Sequence, residues 1–168
     1  DSIWLKDFLI SSIEFEYLMK IMSIFGTRPE IIRLSRIFPA LDSHFDHIMV
    51  NTSQNYTSEL NSIFFTDLEI RKPDYNLKIK TGQFGIEVAD IISKTEKILI
   101  KEKPDVLLIL GDTNSGLSAI PAAHLGIKII HLEAGMRAYD FRMPEDKNRT
   151  LIDHLSSILL PYTDYSRE

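Results

Sequence analysis

From Lys20 onward the chain alternates short apolar runs with segments whose apolar residues recur at helical spacing. Ile21 to Phe25, His47 to Asn51, Val106 to Leu110 and Ile127 to Leu132 are the apolar runs. A short strand is expected at Asp74 to Leu77 and a last one at Ile158 to Pro161. Val106 to Leu110 is apolar without interruption, the pattern of a strand covered on both faces. Helical spacing marks Ile31 to Leu41, Ser58 to Phe65, Ile86 to Lys103, Leu117 to Leu125 and Asn148 to Leu155. Pro104 stops the longest of these. Strands separated by helices predict βαβ units, and hence an α/β, Rossmann-like, three-layer αβα domain with a mostly parallel sheet.

The two ends depart from this rhythm. Residues 1–18, DSIWLKDFLISSIEFEYL, are apolar but interrupted by Lys6, Asp7, Glu14 and Glu16. They lack the basic start and small-residue site of a signal peptide and are too charged and short for a membrane span. They read as an amino-terminal extension, with the domain proper at 19–168; Trp4, Leu5, Phe8 and Leu9 could share one helical face. At the other end Asp164 and Ser166 look like the cap of a further helix, so more protein is expected beyond Glu168.

Composition narrows the function classes. A chain of 168 residues is one domain of ordinary size, and 44% hydrophobic with 26% charged residues is ordinary for a globular protein. A net charge of −5 argues against a nucleic-acid partner. With no cysteine there are no disulfides or thiolate metal sites, which fits a cytoplasmic protein. Nothing points to a membrane partner.

Three segments carry the chemistry: GTRPE at 26–30, GDTNS at 111–115 and HLEAG at 131–135. Each turns polar where an apolar run ends, and in an open parallel sheet those strand ends form the ligand crevice. Gly26 allows a tight turn, Pro29 suits a first helical turn and Glu30 its positive end. Arg28 could meet an anion there together with free backbone N–H groups, and Arg33 lies about one turn further on. Asp112 ends a buried strand; it can serve a substrate, cap the helix after it, or both. Glu133 ends the next strand, and two neighbouring carboxylates could exchange protons. His131, inside the strand, reads as a satisfied structural histidine. Glu145 follows Pro144 at a helix start, with Arg149 four residues on, so a simple Glu–Arg pair is the plain alternative. No dinucleotide fingerprint, phosphate loop, nucleophile elbow or metal-ligand spacing is found, which leaves a site without metal or cofactor.

GTRPEIIRLS, TSQNY, EKPDVLLILGDTNS, HLEAGMR and PEDKNR, in that order, resemble the amino-terminal half of the non-hydrolysing UDP-N-acetylglucosamine 2-epimerases. The resemblance covers nearly all of the chain after Met19. IRKPDY (70–75), LSAIPA (117–122) and LPYTDYSRE (160–168) look like the branch that forms UDP-N-acetyl-L-fucosamine, the UDP-2-acetamido-2,6-dideoxy-L-talose 2-epimerases of capsule and lipopolysaccharide sugar synthesis.

The resemblance implies two Rossmann-like domains facing a cleft, as in GT-B glycosyltransferases, with only the first in these residues. It implies a UDP-sugar substrate, no NAD, and a homodimer in the full-length enzyme. It puts Asp112, Glu133 and Glu145 at the family's catalytic acidic positions, with Arg149 beside the last. Arg28, Glu30 and Thr113 fall in the substrate cleft, Arg33 falls where many members carry Lys, and Gln54 falls in a loop that contacts a second, regulatory UDP-sugar in some members. The family's second domain supplies a histidine and most uridine and diphosphate contacts, so these residues alone are expected to be inactive. Three positions depart from the pattern: Ser53 replaces a glycine, Gly116 a small side chain, and Asp146 a Glu. The rival readings are a GT-B glycosyltransferase, which would need an acceptor, and an isolated binding domain.

Overall fold

The computed structural model describes residues 18–53, 65–140 and 142–167. Six strands form one sheet: β1 (Lys20–Phe25), β2 (Asp46–Asn51), β3 (Tyr75–Asn76), β4 (Val106–Leu110), β5 (Lys128–Leu132) and β6 (Ile158–Leu160). Every pairing is parallel and the order is β3-β2-β1-β4-β5-β6. The helices described from end to end are α1 (Arg28–Leu34), α2 (Ile37–His44), α3 (Phe84–Glu102), α4 (Ala119–His124) and α5 (Pro144–Leu155).

Strand alternation divides the core in two. Met22, Ile24, Ile48, Val50, Leu107, Ile109 and Ile129 face one way and pack with Ile98 and Leu99 of α3, Ala119 and Ala122 of α4 and Ile152 of α5. Ile21, Phe25, Met49, Val106, Leu108 and Leu110 face the other way, against Ile31 and Leu34 of α1 and Phe38 of α2. Helices on both faces make the doubly wound α/β architecture expected from the strand pattern. Among the described helices none is long and apolar enough to cross a membrane.

The elements differ from expectation in instructive ways. The helix expected at Ile31 to Leu41 is two helices, broken at Ser35–Arg36. Pro39 has no N–H to bond the Ser35 carbonyl, so a continuous helix would lose a bond there; in the first turn of α2 that loss costs nothing. The Ser35 hydroxyl and N–H both turn back to the Ile32 carbonyl, at 2.7 and 3.3 Å. The third strand shrinks to Tyr75–Asn76, although Asp74 and Leu77 still bond the Met49 and Asn51 carbonyls at 2.9 and 2.8 Å. The helix expected from Leu117 is preceded by a 3₁₀ turn, Asn114–Ser118, and α5 starts four residues early, at Pro144. After Asp164 the chain forms a 3₁₀ turn, Asp164–Arg167. α3 ends as expected before Pro104, with Lys103 left-handed at φ 50°. The extension up to residue 17 and most of the helix expected at Ser58 to Phe65 lie outside the described residues.

A buried polar chain ties β1 to β2. The Ser23 hydroxyl meets His47 Nε2 at 2.9 Å, and His47 Nδ1 meets Asp42 at 2.6 Å. The ring stacks on Phe38 with centroids 5.8 Å apart. Burial lowers the His47 pKa, opposed by Asp42 and reinforced by Arg71. With the folded value below the unfolded 6.5, His47 contributes stability above that pH and loses it as pH falls. Urea unfolding at pH about 7.5 and about 5.5 is therefore expected to show a loss of stability on acidification that His47→Gln reduces. An equal loss in wild type and variant would place the acid sensitivity elsewhere.

Candidate active site

The sheet order changes direction between β1 and β4: β2 and β3 extend from one side of β1, β5 and β6 from the far side of β4. Loops at the carboxyl ends of such a pair diverge and leave a crevice. GTRPE leaves β1 and GDTNS leaves β4 at this place, and HLEAG leaves β5 next to it.

Close approach explains the first glycine. A Cβ on Gly26 would lie 1.9 Å from Thr52 Oγ1 and 2.4 Å from Ser115 Oγ. Those hydroxyls bond each other at 2.9 Å, so the loops after β2 and β4 meet directly beneath the turn. Glu30 then locks the turn. One oxygen accepts from Gly26 N–H (2.9 Å), Thr27 N–H (2.7 Å) and the Thr27 hydroxyl (2.8 Å). The other accepts from the Thr113 hydroxyl at 2.9 Å. Burial raises the Glu30 pKa, against the hydrogen bonds from Gly26, Thr27 and Thr113. Glu30 and Thr113 thus face each other, tying GTRPE to GDTNS. Arg28, the first residue of α1, is half-buried at the turn.

Two carboxylate–arginine pairs span the strand ends. Arg33 Nη1 of α1 reaches Glu133 Oε2 at 2.5 Å, with its own side chain 49% exposed and that of Glu133 only 7%. Asp112 Oδ2 is bonded by Arg149 Nη2 of α5. Glu133 holds a left-handed backbone, φ 66°, unusual for a side chain with Cβ and typical of functional turns. Glu145 is exposed in the first turn of α5 and makes no hydrogen bond or ion pair with the described residues. Arg149 pairs with Asp112 rather than Glu145, so the plain Glu–Arg alternative does not hold. Being i and i+4, Glu145 and Arg149 share a helix face.

α5 also grips the β4 loop through Asn148 and Asp153, which the sequence pattern did not single out. Asn148 Nδ2 donates to the Asp112 carbonyl at 3.0 Å and to Asn114 Oδ1 at 3.2 Å. His131, fully buried, meets the Gly111 carbonyl through Nε2 at 2.7 Å and Asp153 through Nδ1 at 2.6 Å. Asp153 also accepts from Gly135 N–H at 3.1 Å and Arg137 at 2.7 Å. Burial alone would raise the Asp153 pKa, but hydrogen bonds from His131, Arg137 and Gly135 hold it below its usual range. Asn148, Arg149 and Asp153 are polar residues on the buried face of an amphipathic helix, and that misplacement was the available signal.

The departing positions have local explanations. Ser53 is left-handed at φ 54°, the region a glycine favours, and is held there by Asn51 Oδ1 accepting its N–H at 2.8 Å. At Gly116 a Cβ would come within 2.5 Å of Ile152 Cδ1, so α5 packs where a side chain would stand. Asp146 accepts the Ala138 N–H at 3.0 Å and fixes the loop before α5. In the IRKPDY segment, Arg71 bonds Asp42, Asp74 and the His47 carbonyl at 3.0, 2.8 and 2.7 Å, a brace between β2 and β3 rather than part of the crevice. Gln54 lies outside the described residues. Among the described residues no cluster of His, Asp and Glu could hold a metal ion.

The family profile described as UDP-N-acetylglucosamine 2-epimerase matches residues 40–168. The chain belongs to this epimerase family. It is 46% identical over 147 residues to a UDP-N-acetylglucosamine 2-epimerase homolog of Methanococcus maripaludis, covering 87% of this chain and 41% of that one. It is 41% identical over 144 residues to the UDP-2,3-diacetamido-2,3-dideoxy-D-glucuronate 2-epimerase of Pseudomonas aeruginosa, covering 84% and 41%. Among solved structures it is similar to Methanocaldococcus jannaschii UDP-GlcNAc 2-epimerase in complex with UDP-GlcNAc and UDP: TM-score 0.85, 43% identity, covering 89% of this chain and 42% of that one. The chain thus spans about two fifths of the length of these relatives, one Rossmann-like domain of a GT-B-like epimerase fold.

The Glu30 contacts give a direct test. In Glu30→Gln the amide oxygen keeps the turn N–H groups, the NH₂ donates to Thr113, and the buried charge is gone, so stability is expected within about 1 kcal/mol of wild type. Glu30→Ala strands those donors and is expected to cost about 2–3 kcal/mol. Thermal and urea unfolding check both; equal losses would mean that the charge, not the bonding pattern, holds the turn.

Proposed function

We propose that this domain forms one wall of an active site that inverts carbon 2 of a UDP-2-acetamido sugar by elimination and re-addition of UDP. The supporting observation is the pair of carboxylate–arginine contacts, Asp112–Arg149 and Glu133–Arg33, at the ends of adjacent strands. The family membership and a relative solved with UDP-GlcNAc and UDP bound support the substrate class.

The chemistry asks for these groups. The C2 hydrogen has no neighbouring carbonyl to acidify it. Stretching the anomeric C–O bond builds positive charge at C1, and that acidifies the C2–H. A carboxylate takes the proton, the C2–H electrons become the C1–C2 double bond, and the C1–O electrons leave with UDP. A proton delivered from the opposite face of C2, with UDP returning to C1, completes the inversion. Asp112, Glu133 and Glu145 supply the proton-transfer groups and steady the developing cation. Arg28, Arg33 and Arg149 are the cations for the departing diphosphate. No redox cofactor is needed, because the electrons leaving with UDP come back with it. Glu30 and Thr113 serve substrate binding by fixing the shape of the turn.

The reading extends to a cytoplasmic homodimer working in surface-polysaccharide sugar synthesis. Apolar side chains left exposed, among them Ile158, Leu159 and Leu160 of β6, support association. Of the segments resembling the 6-deoxy branch, IRKPDY braces β2 against β3 through Arg71.

Proton NMR of UDP-GlcNAc in D₂O tests the proposal, since C2 inversion exchanges the C2 hydrogen for deuterium. These 168 residues alone are expected to give no exchange. Joined to the remaining three fifths of a family member they are expected to give it without any acceptor. Asp112→Asn, Glu133→Gln and Glu145→Gln should then each slow it by about 10²- to 10⁴-fold. Exchange by the 168 residues at full rate would sink the one-wall reading, and undiminished exchange in all three variants would sink the site.

A further inference from the structure

Asp112 is held from α5 at three points. Arg149 takes its carboxylate, Asn148 takes its carbonyl at 3.0 Å, and Asp153 reaches the preceding Gly111 carbonyl through His131. The third link differs from the others because it is a two-step strut through a fully buried ring. A carbonyl can only accept, so Nε2 must carry a hydrogen. Asp153 is held ionised by Arg137, Gly135 N–H and His131, so it too accepts, and Nδ1 must also carry a hydrogen. Both ring nitrogens therefore donate.

We infer that His131 and Asp153 are positioning residues for the proton-transfer carboxylates: as one unit they set the Asp112 loop against α5. The inference rests on the proposed C2 inversion. Asp153 sits one turn after Arg149 on the buried face of α5, so its grip on His131 fixes the same part of the helix that carries the Asp112 partner. The second Asp153 oxygen holds Gly135 N–H, two residues past Glu133. One carboxylate thus governs the backbone on either side of the crevice, at Gly111–Asp112 and at Glu133–Gly135. Arg137 completes the pairing from the exposed side and balances the buried carboxylate.

Neither His131 nor Asp153 can exchange protons with a sugar in the crevice, since His131 is fully buried and Asp153 is 8% exposed with both oxygens occupied. Their effect must pass through geometry. A shift of about 1 Å in a proton-transfer group costs on the order of 10²-fold in rate, which sets the expected size.

Two isosteric changes test the strut. Asp153→Asn keeps the shape but loses the charge and one acceptor; His131→Gln cannot donate in both directions. In the 168-residue chain, nitrogen-15 NMR should show two protonated ring nitrogens at His131. Asp153→Asn should shift the Gly111, Asp112 and Gly135 amides while the melting temperature stays within about 4 °C of wild type. In the two-domain protein each variant should lower kcat for C2 exchange by about 10- to 100-fold with KM within about twofold, the pattern of lost positioning rather than lost binding. One unprotonated ring nitrogen, unmoved amides, a rise in KM alone, or global unfolding of both variants would overturn the inference, the last because the pair would then hold the fold rather than the site. Absence of exchange in the unmutated two-domain protein would instead refute the function, leaving the NMR comparison to decide the strut.

Discussion

β1 and β4 pair in the middle of the sheet with apolar side chains buried on both faces, and the crevice follows from that constraint. A central parallel strand has no solvent face to hold polar chemistry, so such groups collect at its ends. At the carboxyl ends the chain must also leave in opposite directions, because the sheet grows away from β1 on one side and from β4 on the other. Gly26 and Gly111 mark the two exits, the first forced by the Thr52 and Ser115 hydroxyls packed against it, the second left-handed at φ 74°.

What fills the crevice is a layered set of charges. Glu30 is innermost and is used up in the turn, joining GTRPE to GDTNS. Asp112 and Glu133 lie further out, each with an arginine from a helix on a different face of the sheet: Arg149 from α5 and Arg33 from α1. Charge balance within the wall offsets repulsion between these carboxylates. Arg33 is the more open of the two, and Arg149 the more buried. Glu145, exposed on the first turn of α5, is the one proposed proton-transfer group with no partner among the described residues.

α5 emerges as the element that joins scaffold to site. Its apolar contacts are Ile152, packed into the space where a Gly116 side chain would stand, and the partly buried Leu155. Its polar contacts, Asn148, Arg149 and Asp153, all face the sheet. A helix that buries three polar residues gives up apolar burial worth about 2 kcal/mol at each position, a loss understandable where every one is hydrogen-bonded to a loop that carries chemistry.

The sequence alone determined the alternation of strands and helices, the doubly wound class and the three polar strand ends, because period and local turn chemistry are one-dimensional signals. It also marked Asp112, Glu133, Glu145 and the arginines as candidates, through residue type at a strand or helix terminus and through the family motifs. The break after α1 was legible in principle from Pro39, but helical periodicity ran across it. Only the tertiary structure decided who pairs with whom. Arg149, for which a pair with Glu145 is the plain alternative by spacing, turns instead to Asp112, 37 residues away in the chain. Arg33 found Glu133, 100 residues away. Glu30 proved to be a strap inside the turn, and Asp153 a hub beneath two loops. Those outcomes depend on strand order and on which face each helix covers, and neither is encoded in local spacing.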